Sequence, residues 1–147
     1  MNELSRILYG KQDTVHSVEP TATIHAAVEK MCRVHVGALL VCQDDALVGI
    51  VSERDVMQRA VLTGQDPKTT PVAAIMTSEL VTISPETSPE EAMDLMTRFR
   101  CRHLPVIENQ QIVGIVSIGD LVRWVRTAQE EEIETLRHYV WGEATHS

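Results

Sequence analysis

Aromatic residues are scarce in this 147-residue chain, where two Trp, two Tyr and one Phe make up 3% of the sequence. Such a chain lacks the stacking platforms of single-strand binders, and its net charge of −8 lacks the basic footprint of a nucleic-acid protein. No nucleic-acid partner is expected. No apolar run approaches the roughly 18–20 residues of a membrane helix, which excludes a helical membrane span. The start, MNELSRILYGK, has neither the continuous apolar stretch nor the small-residue cleavage site of a signal peptide. Cysteine is sparse too: Cys32, Cys42 and Cys101 are odd in number and unrelated in spacing. That argues against a disulfide framework and for a reducing compartment, the cytoplasm. With no C-x-x-C or paired-His spacing, no metal site is expected. Cys32 and Cys101 lie in or just after apolar helical stretches and are expected to pack as small hydrophobes. No nucleophile motif and no phosphate-cradling glycine loop is present, so catalysis is not expected.

What the chain does contain is a repeat. Shifted by 65 residues, positions 15–61 align with 80–126 without a gap. The identical pairs include Pro20/Pro85, Ala27/Ala92, Met31/Met96, Leu39/Leu104, Val41/Val106, Gly49/Gly114, Ser52/Ser117 and Asp55/Asp120. Each copy reads alike. HSVEP and VTISP alternate and stop at a proline, as short strands do. Thr23 or Ser88 then suits a helix N-cap, with Pro89 at the first helical position. Ala27, Val28 and Met31, like Ala92, Met93 and Met96, recur at helical spacing. ALLVCQDDALVGIVS and HLPVIENQQIVGIVS each read as a hairpin around a polar turn, and ERDVMQRAVL and IGDLVRWVRTA as helices. The expected fold is α/β (α+β): two pseudo-symmetric β-α-β-β-α repeats packed sheet to sheet, with a C-terminal helical tail. A unit of this size is marginal alone, and pairing creates clefts where small ligands bind. The organisation is an N-terminal helical segment (1–14), repeat one (15–62), a linker and lead-in (63–79), repeat two (80–126) and an acidic helical tail (127–147). Leu4, Ile7 and Leu8 form an apolar patch expected to cover one sheet or helix end.

Chemistry concentrates where each last strand turns into a helix, in GIVSxxD. Gly49 or Gly114 permits close approach of a ligand or of backbone. Ser52 or Ser117 can hold an anion at the junction. Asp55 or Asp120 lies on the same side and can accept two hydrogen bonds from a cis-diol such as a ribose. The same Ser-x-x-Asp pattern is also an ordinary helix cap, and it is its duplication behind Gly-Ile-Val that favours a site. Arg98, Arg100, Arg102 and His103 form a basic patch on an otherwise acidic chain, readable as a solvated helix end or as an anion contact.

At these residues the sequence resembles the CBS domain (the cystathionine β-synthase-type repeat) in the tandem form called a Bateman module. The resemblance covers about residues 15–126, through TISPETSPEEAMDLM, RHLPVIENQQIVGIVSIGD and GALLVCQDDALVGIVSERD. It implies a non-catalytic module that needs no cofactor and binds adenosyl ligands: AMP, ADP or ATP, or alternatively NAD(H) or S-adenosylmethionine. Carried over by position, it makes Asp55 and Asp120 ribose ligands, with Ser52 and Ser117 near ribose or phosphate. Ser17–Val18 and Thr82–Ile83 edge the base, and Arg102 and His103 touch phosphate. Repeat one departs from this pattern, with Gly37, Ala38 and Leu40 where repeat two has Arg102, His103 and Pro105, so the two clefts are not expected to fill equally. The arrangement favoured by the sequence places ribose on Asp55 and Ser52 with its phosphate on Arg102 and His103, and Arg54 as a further cation. Aliphatic slots rather than aromatic rings would hold the base.

The tail carries Glu130, Glu131, Glu132, Glu134 and Glu143 against Arg137, a net −4. Ile133, Leu136 and Val140 share one helical face, which requires cover, either from its own module or from a second subunit. A homodimer is expected, displaying ligand state to a regulated enzyme or transporter. The alternative is a constitutive dimerisation or scaffold module without useful ligand affinity.

Overall fold

The computed structural model describes residues 3–11 and 15–142. A helix α1 (Glu3–Lys11) precedes repeat one, which comprises β1 (Ser17–Val18), α2 (Ile24–Val34), β2 (Ala38–Gln43), β3 (Ala46–Ser52) and α3 (Glu53–Asp55). The helix begun at α3 widens into π-type turns over Val56–Val61. A single 3-10 turn, Val72–Ala74, lies in the connection to α4 (Pro89–Phe99), β4 (His103–Glu108), β5 (Gln111–Ser117) and α5 (Ile118–Arg137). The mixed fold of small sheets and helices agrees with the expectation. α5 runs unbroken through position 126, so the second repeat and the tail share one rod.

Local chemistry accounts for the boundaries. The Thr23 hydroxyl accepts from Ala26 N at 3.1 Å and the Ser88 hydroxyl from Glu91 N at 3.1 Å, with Pro89 in the first turn. Both helices end on a left-handed residue, His35 (φ 59°) and Arg100 (φ 54°), so that Val36 N and Cys101 N turn back to Met31 O and Met96 O. The hairpins turn through Asp44–Asp45 and Asn109–Gln110, all at positive φ, as tight two-residue loops require.

β1 pairs parallel with β2, and β2 pairs antiparallel with β3. β4 and β5 repeat that hairpin, including its bulge. The expected strand VTISP shrinks to one parallel bridge, Ile83 to Val106. The reason is Pro105. In repeat one Leu40 N donates to His16 O, whereas Pro105 at the equivalent place has no N–H to donate.

Two cores form, and each borrows from outside its own repeat. Ile24, Ala27, Met31, Leu39, Val41, Val51 and Ala60 enclose Val72 and Ile75, which precede repeat two. Ile83, Ala92, Met96, Leu104, Val106, Val116 and Leu121 enclose Leu4 of α1, which precedes repeat one, with Ile7 and Leu8 packed alongside. The N-terminal apolar patch thus covers the second repeat. The exchange explains the repeated glycine. A Cβ at Gly49 would stand 2.6 Å from Met76 Sδ and 3.1 Å from Thr77 O, and one at Gly114 would stand 2.7 Å from Leu8 Cδ2. The close approach foreseen at these glycines is therefore made by the crossing lead-in segments. The other sheet face is covered as well: Ala38 and Leu40 are buried beside neither core, and a Cβ at Gly37 would lie 3.6 Å from His103 Cε1. The sheets of the two repeats meet there.

The neighbour at Gly114 is the movable end of a leucine, whereas Thr77 O is held by paired bonds with Ile50 of 2.8 and 2.9 Å. Gly49→Ala is therefore expected to cost about 1–3 kcal/mol by overpacking and Gly114→Ala less. Urea denaturation midpoints check the order, and Gly114→Ala should cost less in a Leu8→Ala background than in the unaltered chain, because the Leu8 Cδ2 it meets is then absent.

Candidate functional site

Both Ser-x-x-Asp motifs fold as reciprocal caps. Ser52 N donates to Asp55 Oδ2 at 2.9 Å, the Ser52 hydroxyl contacts the same oxygen at 3.1 Å, and Asp55 N donates back to Ser52 Oγ at 3.3 Å. In repeat two, Ser117 N donates to Asp120 Oδ2 at 2.8 Å and Asp120 N to Ser117 Oγ at 3.1 Å. Each carboxylate is buried and offsets the unpaired N–H groups and positive end of its helix. The cap reading is thus realised in both copies, and any ligand role is additional to it.

The second carboxylate oxygen distinguishes the copies. Asp55 Oδ1 accepts from Thr77 Oγ1 at 3.2 Å and lies 3.9 Å from Arg59 Nε. Three hydrogen bonds and a nearby guanidinium thus engage this carboxylate, leaving Oδ1 with one acceptor position not filled by a hydrogen bond among these contacts. Asp120 Oδ1 instead meets Arg123 Nη2, whose side chain is 71% exposed. Thr77, Arg59 and Arg123 were not among the residues singled out from sequence. Thr77 and Arg123 lack a matching residue one repeat away, and Arg59 corresponds to Trp124, so the repeat carried no signal for them. Arg59 also donates to Met76 O at 3.1 Å, tying α3 and its continuation to the lead-in segment.

The remaining candidates lie along the seam. His103 pairs with Ser117 across the β4–β5 hairpin and, from the other side, faces Gly37. Ala38 pairs with Ser52 in the same register, so His103 stands close to both caps. A Cβ at Gly37 would also meet the Glu53 carboxylate, so a side chain like that of Arg102 would require the exposed Glu53 to move aside. Arg102 is exposed, and its carbonyl accepts from Ile118 N at 2.8 Å. Arg54 reaches across the repeats to Arg100 O at 3.4 Å, a bond that directs it toward α4. Gly119, at the place of Arg54, leaves room beside Ser117 Oγ. Val18 packs against the first core and Ile83 belongs to the second. The backbone at both positions is paired into the sheet, Val18 with Val41 and Ile83 with Val106, and of their neighbours Ser17 is half-buried and Thr82 exposed.

The cysteines divide. Cys32 is exposed, contrary to the expectation that it packs, because α2 turns Ile24, Ala27 and Met31 inward and Cys32 away from them. Cys101 packs against the second core as expected. Burial raises the thiol pKa of Cys101, and burial followed by the Asp45 charge raises that of Cys42. Among the described residues no group of three or more His, Cys, Asp or Glu is placed to hold a metal ion, and no helix is long and apolar enough to cross a membrane.

Two measurements follow from this geometry. Thr77→Val should lower stability by roughly 1.5–3 kcal/mol through the lost bond to a charged acceptor, read from denaturation midpoints. Iodoacetamide near neutral pH should label Cys32 first, with Cys42 and Cys101 gaining reactivity only as pH rises, as peptide mass spectrometry would show.

Similarity to known proteins agrees with this geometry. The family model for the CBS domain matches twice, over residues 12–61 and 72–127. The CBS domain-containing protein CBSX3, mitochondrial, of Arabidopsis thaliana is 43% identical over 125 residues, which are 82% of this chain. The chain spans 61% of the length of that relative. A CBS-domain protein of Burkholderia ambifaria superposes with a TM-score of 0.79 at 40% identity, covering 82% of this chain and 90% of the other. A hexameric CBS-CP12 protein from bloom-forming cyanobacteria superposes with a TM-score of 0.69 at 32% identity, covering 74% and 61%.

Proposed function

The chain belongs to the CBS-domain family, and from that premise we propose that it is a non-catalytic regulatory module binding a phosphorylated adenosyl ligand, AMP, ADP or ATP, at the seam between its repeats. The observation that carries this reading is the place of His103, paired with Ser117 and set against Gly37 of the other repeat. It brings the basic pair Arg102–His103 beside a Ser-x-x-Asp cap, so that ribose hydroxyls on Asp120 leave the phosphate within reach of cations. Ser17 and Thr82 edge the base. A diol must displace Thr77 or Arg59 from Asp55 Oδ1 and Arg123 from Asp120 Oδ1, and Asp120 is the stronger subsite in this reading because the exposed Arg123 is free to swing toward a phosphate.

Binding at the seam alters the relative free energies of different arrangements of the two repeats, and a regulated enzyme or transporter would read that difference. The three free thiols, Cys32, Cys42 and Cys101, support a reducing compartment such as the cytoplasm as its setting. Assembly into a homo-oligomer is part of the reading, as in the hexameric cyanobacterial neighbour. A second reading, a constitutive scaffold, is favoured by the closed state of both caps, since a satisfied helix cap needs no ligand.

Calorimetric titration of the full chain with adenosine, AMP, ADP, ATP, NADH and S-adenosylmethionine separates these readings. A charge-assisted phosphate contact contributes about 1.5–3 kcal/mol, so AMP should bind roughly ten- to a hundredfold more tightly than adenosine. Arg102→Ala should erase that difference, and Asp120→Ala should weaken all adenosyl ligands more than Asp55→Ala does. Absence of heat and of any thermal shift across the whole series would establish the scaffold reading instead.

A further inference from the structure

Among the described residues, the C-terminal half of α5 is not covered by its own module. Leu121 is buried and Trp124 and Val125 are half-buried, but from Glu131 to Val140 every residue is exposed. Ile133, Leu136 and Val140, 49%, 56% and 59% exposed, form one stripe at helical spacing, with Glu130 and Glu132 on its two flanks. Because the first turns of α5 are anchored on the second repeat, a continuous helix cannot bring this stripe back onto its own chain without breaking. Residues 129–140 hold four Glu against Arg137, a net −3. Two such tails side by side would repel, which disfavours a tail-to-tail pair.

A complementary surface exists where the repeats meet. The bond from Arg54 to Arg100 O joins the start of α3 to the end of α4. At and next to these residues in sequence, Arg98, Arg100 and Arg102 are exposed and outnumber the exposed Glu53 and Asp94, and Phe99 and Met57 show large apolar areas, 52% and 59% exposed. Cations around exposed apolar groups match an apolar stripe flanked by carboxylates. We propose that the tail helix of one copy docks on the Arg54–Arg100 surface of a second copy and receives the second copy's tail in return. Such a closed, twofold pairing makes the same contact twice, which brings a single helix face toward the roughly 1,200 Å² of a specific interface. The docked helix bridges both repeats of its partner, so the dimer senses their relative position. No ligand is needed for the contact.

Sedimentation velocity of the full chain, without nucleotide, tests this by charge exchange. Glu130→Lys with Glu132→Lys makes a tail-reversed chain, and Arg98→Glu with Arg100→Glu makes a surface-reversed chain. Each alone should dissociate at least tenfold more readily than the unaltered dimer, and high salt should weaken the unaltered dimer. Mixed one to one, the two should form a heterodimer, because each tail then faces a surface of opposite charge. That recovery also shows both variants to be folded. A monomeric unaltered chain, a dimer indifferent to surface reversal as tail-to-tail pairing would give, or a mixture that stays monomeric would each overturn the proposal.

Discussion

Hydrogen atoms in place of side chains at Gly49 and Gly114 let the segment preceding each repeat lie directly on the sheet of the other. Much of the remaining architecture depends on that approach. Val72 and Ile75 complete the first core and Leu4 the second, so neither repeat closes its apolar interior with its own residues. A unit of under fifty residues buries too small a fraction of its surface to stand alone. Exchange of lead-in segments supplies the missing cover, and it makes the two repeats one cooperative object.

The same exchange shapes the candidate site. Thr77 is carried onto Asp55 by the backbone pairing of its segment with Ile50, and Arg59 reaches the same segment at Met76. The first carboxylate is thereby contacted both by its own helix and by the lead-in segment of repeat two. Asp120 meets an exposed arginine from its own helix instead. Two motifs identical in sequence therefore differ in what a ligand must displace. The asymmetry between Gly37 and Arg102 has a similar origin: Glu53 and His103 crowd the space above Gly37, so one repeat gives up the cation position where the other presents it.

Much of the fold was legible because it was written twice. The caps at Thr23 and Ser88, the hairpin turns and the apolar faces of α2 and α4 follow from short-range stereochemistry, and each recurs 65 residues on. The expectations that failed involve partners distant in sequence or details of backbone pairing. Loss of the strand at Ile83 follows from the missing N–H of Pro105, visible only once the two are known to be neighbours. Cys32 sits in an apolar stretch, yet the direction in which α2 faces the sheet exposes it. Thr77 and Arg123 have no matching residue in the other copy, so repetition could not mark them.

The order of elements, the duplicated Ser-x-x-Asp junctions, the basic run at 98–103 and the amphipathic tail were determined by the sequence alone. Each depends on residues within a few positions of one another, where spacing and stereochemistry suffice. Tertiary structure alone decided which segment lies on which glycine, that Thr77 bonds Asp55, and that His103 lies against Gly37 of the other repeat. Those outcomes depend on packing between residues tens of positions apart. No local pattern encodes them, because burial and hydrogen bonding select the partner only after the chain has folded.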